Sequence, residues 1–285
     1  MDFLRPLTWM DALTLKAERP EATPIQGGTD VMVEINLDKG RPAALLDLTR
    51  VRELRDWSRE GDEIRVGAGV TYSRLIAELG ADLPGLAQAS RTVGSPQIRN
   101  RGTVAGNLGA ASPAGDSHPP LLACGAVVEA ESVRGTRLIP IGAFYTGVKR
   151  NALAPDELIR AVRVPAATGP QYFSKIGTRN AMVIAVCSFA VALDPSGRRV
   201  GTGIGSAAPT PRHAPRAEDF ASAELDWDGH GPLDPGVARG FGELVAASAA
   251  PIDDVRGRAA YRTRALAVMA RRALGWAWDD VRGKS

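Results

Sequence analysis

The chain has 285 residues, 44% of them hydrophobic and 24% charged, enough for one large or two modest domains with real cores. Its 35 basic and 32 acidic residues leave a net charge of only +3 despite a pI near 9.1, and neither sign forms a long block, which argues against a nucleic-acid partner. Two cysteines fall short of the about four ligands an iron–sulfur cluster takes.

Cys124 and Cys187 both sit in apolar surroundings and read as buried reduced thiols. His118, His213 and His230 are scattered, with no HxxxH or CxxC spacing, so no metal is assigned to this chain. Met1 to Pro6 lacks the basic-then-apolar pattern of a secretory signal. The longest apolar run, Ala181 to Leu193, is well short of the ~20 residues of a membrane span. The expectation is a cytoplasmic protein.

From the N-terminus, Thr8 is placed to cap a first helix, with Asp11 three residues on, Leu13 and Leu15 following and Pro20 beyond its end. A glycine-centred turn spans Pro24 to Asp30 and leads into the apolar stretch Val31 to Ile35. Leu45 to Leu48 predicts a short strand, and Glu63 to Val66 alternates as a half-buried one. Thr71 predicts a capped helix with the stripe Leu75, Ile76 and Leu79, ended by Gly80.

From Ser90 to Pro120 glycines, small residues and polar side chains dominate, which predicts a long ordered loop wrapped around a ligand. A strand at Val127 to Ala130 follows, then a turn at Ala154 to Glu157 and a strand at Leu158 to Val162. Thr168-Gly169-Pro170 has the composition of a domain junction. Beyond it lie an apolar run of about strand length at Met182 to Leu193, a β-like segment at Arg198 to Ser206, and helices near Gly236 to Ala249 and Ala259 to Ala277. The last helix carries a predicted buried stripe of Leu266, Met269, Ala273 and Trp276. The elements do not alternate as βαβ units, which predicts α+β rather than a doubly wound sheet.

Two segments have the chemistry of a phosphate and sugar cradle. In Gln26-Gly27-Gly28-Thr29-Asp30 the paired glycines let backbone N–H groups converge on an anion, and Thr29 adds a hydroxyl; a plain turn between two elements is the other reading. In Arg101 to Ser117, Ala105, Gly106 and Gly109 allow close backbone approach. Thr103, Asn107 and Ser112 supply neutral hydrogen-bonding groups, and Asp116 is an acceptor suited to sugar hydroxyls. A surface loop is the other reading there. Neither segment is a Rossmann GxGxxG or a Walker GxxxxGK[ST], so a dinucleotide would need a different fold.

Together these segments resemble the two FAD-binding signatures of the medium subunit of molybdenum hydroxylases of the xanthine and carbon monoxide dehydrogenase type. That family shows a Gly-Gly-Thr/His-Asp/Ser loop and, about seventy residues on, Gln-Ile-Arg-Asn-Arg-Gly-Thr-Ile-Gly-Gly-Asn and a Ser-Pro-x-x-Asp stretch. This chain has Gln97 to Thr103 and Asn107 in place, then Ser112-Pro113-Ala114-Gly115-Asp116. Phe144 to Gly147, Leu153 to Ile159, Tyr172 to Lys175, Ala208 to Pro211 and Asp254 to Gly257 with Tyr261-Arg262 extend the similarity along nearly the whole chain. Ala105 departs from the pattern, since glycine is usual there; a position needing positive φ would strain it.

The resemblance implies an FAD-binding domain of the vanillyl-alcohol-oxidase or PCMH type over residues 1–168 and a smaller α+β domain over 169–285. It implies that Gln26, Gly27, Gly28, Thr29 and Asp30 lie at the FAD pyrophosphate. Thr103, Gly106, Asn107 and Asp116 would hold pyrophosphate, ribityl and ring-proximal parts, Ile159 the adenine, and Lys175 the vicinity of the isoalloxazine, unless Lys175 is simply a surface lysine. It implies partners as well: a large subunit with molybdopterin and a small subunit with [2Fe–2S] clusters, in a dimer of heterotrimers, with NAD⁺, oxygen or another acceptor receiving the electrons. No catalytic acid or base is expected from this chain. The basic residues Arg256, Arg258, Arg262, Arg264, Arg271 and Arg272 make either a partner-facing or a solvated face. The alternatives are a non-catalytic or regulatory flavin-binding homologue, supported by Ala105 alone, a stand-alone flavin oxidase, for which roughly 115 residues after Pro170 leave little room for a substrate domain, and a binder of an unrelated nucleotide.

Overall fold

The computed structural model describes residues 1–229 and 231–283, so His230 lies outside the described residues. The first strands, Asp2–Leu4, Thr23–Ile25 and Ala44–Asp47, form a parallel sheet with Ala44–Asp47 in the middle. The helix Trp9–Glu18 connects two of them, and Thr8 Oγ1 caps it by accepting from Asp11 N–H at 3.2 Å. A second sheet of five antiparallel strands runs Trp57–Glu60, Glu63–Gly67, Leu158–Pro165, Val127–Ser132, Gly135–Pro140. Both sheets share one core, with Leu46, Leu54, Ile64, Leu75, Val128 and Phe144 fully or almost fully buried.

A third sheet, Gln171–Ile176, Cys187–Asp194 and Arg199–Gly205, is antiparallel. Its alternation sorts two faces. Cys187, Phe189, Val191, Val200 and Ile204 face a second core built with the helices Pro215–Glu224, Pro235–Ala247 and Ala259–Val281. The opposite face meets the helices Pro84–Thr92 and His118–Ala123 of the N-terminal part, where Ala89, Ala123, Phe173 and Ala190 cluster. The last strand is Arg-Val-Gly-Thr-Gly-Ile-Gly, and its glycines share this face. A Cβ at Gly201 would stand 2.1 Å from the Ala123 carbonyl oxygen, and one at Gly203 would stand 2.0 Å from that of Pro119. Backbone therefore lies directly on backbone, and the two parts are seated without side chains between them at these positions.

The α+β class holds, and several expectations do not. Ser90 to Pro120 is no long loop: it contains the end of Pro84–Thr92, the helices Pro96–Arg99 and Val104–Ala110, and the start of His118–Ala123. Caps outweigh the poor apolar content: Ser95 Oγ accepts from Ile98 N–H, Thr103 Oγ1 accepts from Gly106 N–H, and Pro96 sits in a first turn. Val31 to Ile35 is part of a helix, Val31–Asn36, with no buried residue. The apolar run becomes a strand only from Cys187, leaving Met182 and Ile184 exposed. In the last helix Trp276 faces outward against the Tyr172 ring, while Ala277 and Trp278 complete the buried stripe. The helix Pro215–Glu224 carried no sequence expectation.

Arg262 is not a partner-facing cation. It is 2% exposed, donating to the Ser206 carbonyl oxygen at 2.9 Å and to Asp254. The thiols behave as anticipated: Cys187 is buried, Cys124 partly so, and burial pushes both up to about 12. No helix among the described residues is long and apolar enough to cross a membrane.

Candidate functional site

The two glycine-rich segments meet. Gln26, Gly27, Gly28, Thr29 and Asp30 form the connection between the strand Thr23–Ile25 and the helix Val31–Asn36. Gly28 has φ +76°, a left-handed conformation that only glycine adopts freely. A Cβ on Gly27 would stand 2.3 Å from the Arg101 carbonyl oxygen, so the first loop rests on the backbone of the second. The amide Nε2 of Gln26 lies beside Gly69, where a Cβ would be 3.2 Å from it. Tyr72 N–H donates to the Gly102 carbonyl oxygen at 3.0 Å, which fixes the second segment to the helix Tyr72–Glu78.

Thr103 is 3% exposed and caps the helix Val104–Ala110, while Gly106 lies open on its surface. Asn107 leans toward Gly115: a Cβ there would meet Asn107 Oδ1 at 2.7 Å and His118 Nε2 at 2.3 Å. Next to Gly115, Asp116 is 7% exposed and pairs with Lys175, Nζ to Oδ2 at 2.6 Å. Lys175 is therefore no surface lysine: its side chain is 8% exposed and it reaches from the third sheet into the N-terminal part. Ile159 is buried in the same core as Val104, Ala105 and Leu108, in a strand that packs against their helix. No direct contact joins Thr29 or Asp30 to the second segment among the interactions described.

The strain envisaged at Ala105 is absent. Ala105 lies inside the helix, and the left-handed residue is Ala111 at its C-cap, φ +45°. The one sequence feature in favour of a degenerate homologue thus loses its force.

Fit to a dinucleotide rests on polar atoms that the fold buries and leaves without partners. Gln26 Oε1, Asn107 Oδ1 and Asp116 Oδ1 are buried and take no hydrogen bond. A buried unsatisfied oxygen costs about 1–3 kcal/mol, and native folds keep few of them unless something bound satisfies them. All three belong to the two segments, and as acceptors they suit the hydroxyl and amide donors of a flavin dinucleotide. The residues fit FAD.

Next to Asp116, Ser117 and His118 belong to a buried polar layer that gave no sequence signal. Tyr72 Oη and Ser117 Oγ are 2.9 Å apart, and Tyr145 Oη lies 2.8 Å from His118 Nδ1. Burial pushes the two phenols up and His118 down to about 4, so this layer is uncharged near neutrality. Burial pushes Asp116 up as well, against the pull of Lys175 and Thr92. Thr92, which donates to Asp116 Oδ2 at 3.0 Å, was not anticipated, because an isolated threonine at a helix end has no distinguishing pattern.

Known proteins resemble this chain over nearly its whole length. Residues 1–167 match the family described as FAD binding domain in molybdopterin dehydrogenase, and residues 172–277 match the CO dehydrogenase flavoprotein C-terminal domain. The xanthine dehydrogenase FAD-binding subunit of Escherichia coli O157:H7 is 30% identical over 290 residues, covering 98% of this chain and 97% of the relative. The carbon monoxide dehydrogenase medium chain of Afipia carboxidovorans is 33% identical over 282 residues, covering 96% and 95%. Among solved structures, a carbon monoxide dehydrogenase from Hydrogenophaga pseudoflava that lacks the Mo-pyranopterin moiety of its molybdenum cofactor superposes with a TM-score of 0.90 at 28% identity, covering 98% of this chain and 97% of that one. The chain belongs to the FAD-binding molybdopterin dehydrogenase family and is a flavoprotein subunit of the molybdenum hydroxylases of the xanthine and carbon monoxide dehydrogenase type.

Proposed function

We propose that this chain takes electrons from [2Fe–2S] clusters on a small partner subunit, themselves supplied by a molybdopterin centre on a large one, and delivers them to NAD⁺, oxygen or another acceptor. Bound FAD would supply the redox chemistry, exchanging single electrons on one side and pairs on the other. The chain's own part is to bind and orient the cofactor. The Gln26 to Asp30 loop and the segment Thr103, Gly106 and Asn107 cradle the pyrophosphate region. Asp116 holds ribityl hydroxyls, Ile159 borders the adenine, and Lys175 sits toward the ring end. The FAD-binding part spans residues 1–168 and the C-terminal part residues 169–285, in keeping with two cores whose fully assigned members end at Val164 and begin at Cys187. The medium-chain names of two relatives are in keeping with an assembly of three subunit types; its pairing into a dimer of heterotrimers and its cytoplasmic location are part of the proposal.

The observation that carries the reading is the set of buried, partnerless oxygens on Gln26, Asn107 and Asp116, all within the two glycine-rich segments. The test is the visible spectrum of the purified chain, alone and with co-purified partners. Bands near ~375 and ~450 nm that bleach on reduction are expected for flavin, with iron–sulfur absorption added only in the co-purified sample. A chain that stays colourless with excess FAD overturns the reading.

A further inference from the structure

Asp116 is shared between the two halves of the molecule. Its Oδ2 accepts from Lys175 Nζ at 2.6 Å and from Thr92 Oγ1 at 3.0 Å. Lys175 belongs to the first strand of the third sheet, whereas Thr92 and Asp116 belong to the N-terminal part. The same ammonium donates to the Thr92 carbonyl oxygen at 3.3 Å. The single proton of the Thr92 hydroxyl lies between Asp116 and the Ala89 carbonyl oxygen at 2.8 Å. One carboxylate oxygen is thus occupied from two sides, while Oδ1, equally buried, has no partner. Tyr72, held by Ser117, is the other titratable group that bears on the carboxylate, and His118 lies two residues along the chain.

A buried ion pair gains little stability over an apolar contact of the same size, because desolvating both charges offsets their attraction. Stability alone therefore does not account for a lysine crossing into the other part to hold half of a carboxylate. Two partners on one oxygen do remove the carboxylate's rotational freedom, and that orients the other oxygen.

We propose that Thr92 and Lys175 are positioning residues of the cofactor site: they fix one oxygen of Asp116 so that the other is presented to a hydroxyl of bound FAD, which makes seating of the C-terminal part and retention of the cofactor one coupled event. The inference rests on the flavin reading above. Coupling of this kind is reciprocal: FAD tightens the contact between the parts as much as the contact tightens FAD. It also has a pH signature. With Lys175 removed, the burial that pushes Asp116 up is opposed only by Thr92, and the carboxyl takes up its proton at higher pH. Affinity carried by an ionised acceptor falls as pH drops through that value, so the fall begins at higher pH in the variant.

The test is an FAD titration of the full-length apo chain by flavin fluorescence quenching from about pH 5 to about pH 8, with melting curves with and without FAD. Lys175→Met is expected to weaken FAD by at least about tenfold at pH 7, Thr92→Val by about threefold, and Lys175→Arg to recover most of the loss. The midpoint of the pH-dependent loss moves up in Lys175→Met, and the rise in melting temperature on adding FAD shrinks. Binding within about twofold of wild type in both Lys175→Met and Thr92→Val overturns the proposal. So does weaker binding by Lys175→Met with an unmoved pH profile, which would mark a merely structural lysine. If Lys175→Met fails to fold, Thr92→Val decides, since it removes one hydroxyl and keeps the side-chain shape. A wild-type chain that binds no FAD overturns the flavin reading itself, whereas a binding wild type with indifferent variants overturns only this inference.

Discussion

The two halves of the chain bury different things. The C-terminal part closes an apolar core around Phe189, Phe241, Leu266, Leu274 and Trp278, with helices stacked on one face of a three-stranded sheet. Among its described residues only Ser188 Oγ and Arg262 Nε are buried without a partner. The N-terminal part has the larger core and yet leaves six such atoms, on Trp9, Gln26, Asn107, Asp116, His118 and Arg160. A fold tolerates that cost where a bound group offsets it. Polar debt concentrated in one half therefore marks the half that binds, and the other half is the support that keeps it shaped.

The halves therefore respond oppositely to substitution. The largest effect is expected in the support. Phe241→Ala empties a fully buried site packed edge-on against Phe189 and should cost about 3–5 kcal/mol in chemical denaturation. FAD affinity of the folded fraction should hold, and a parallel loss of affinity would blur the distinction.

Acid should act on the binding half first. His118 is held down to about 4, below the ordinary histidine value near 6.5, so the unfolded chain binds the extra proton between these limits. Stability then falls as pH drops from about 6.5 toward 4, by roughly 3 kcal/mol in all. His118→Gln should flatten that slope in pH-dependent melting. An unchanged slope would assign the acid sensitivity to other groups. Asp254, held down by Arg256 and Arg262, acts lower: its contribution is present above the usual carboxylate range and is lost only as pH falls below it.

A smaller effect tests the seat between the halves. Gly203→Ala places a methyl 2.0 Å from the Pro119 carbonyl oxygen and should destabilise by about 2 kcal/mol, with FAD binding weakened along with it. The smallest change in stability is expected at Asn107. Asn107→Ala removes a buried oxygen that has no partner in the chain, so the melting point of the apo chain should stay level or rise. FAD affinity should meanwhile drop about tenfold. A destabilised apo chain with unaltered FAD binding would reverse the assignment.

Much of this was legible in advance because it is local. Thr8 and Thr71 announce helix starts through their own hydroxyls, and the alternation at Glu63 to Val66 needs only the next residues to be read. The second glycine-rich segment was readable in chemistry and misread in shape. Its helices depend on caps at Ser95 and Thr103, which in a small-residue segment look the same as loop residues until the backbone closes on them. Trp276 was misplaced by about one position, because the helix bears on both the sheet and its neighbour and its buried face is set by both.

Residue order alone carries the α+β class, the two glycine-rich segments and the resemblance that names the family. All three depend on residue identity and short spacing. Tertiary structure alone decided that Gly27 lies on Arg101, that Gly203 seats Pro119, and that Lys175 and Thr92 converge on one oxygen of Asp116. These contacts join residues 59 to 84 positions apart along the chain, or as few as 24, and no local propensity encodes them. Lys175 reaches Asp116 and Gly203 seats Pro119 because the third sheet packs directly on the helices Pro84–Thr92 and His118–Ala123, which brings distant residues within reach while leaving Asp116 Oδ1 buried and unpaired.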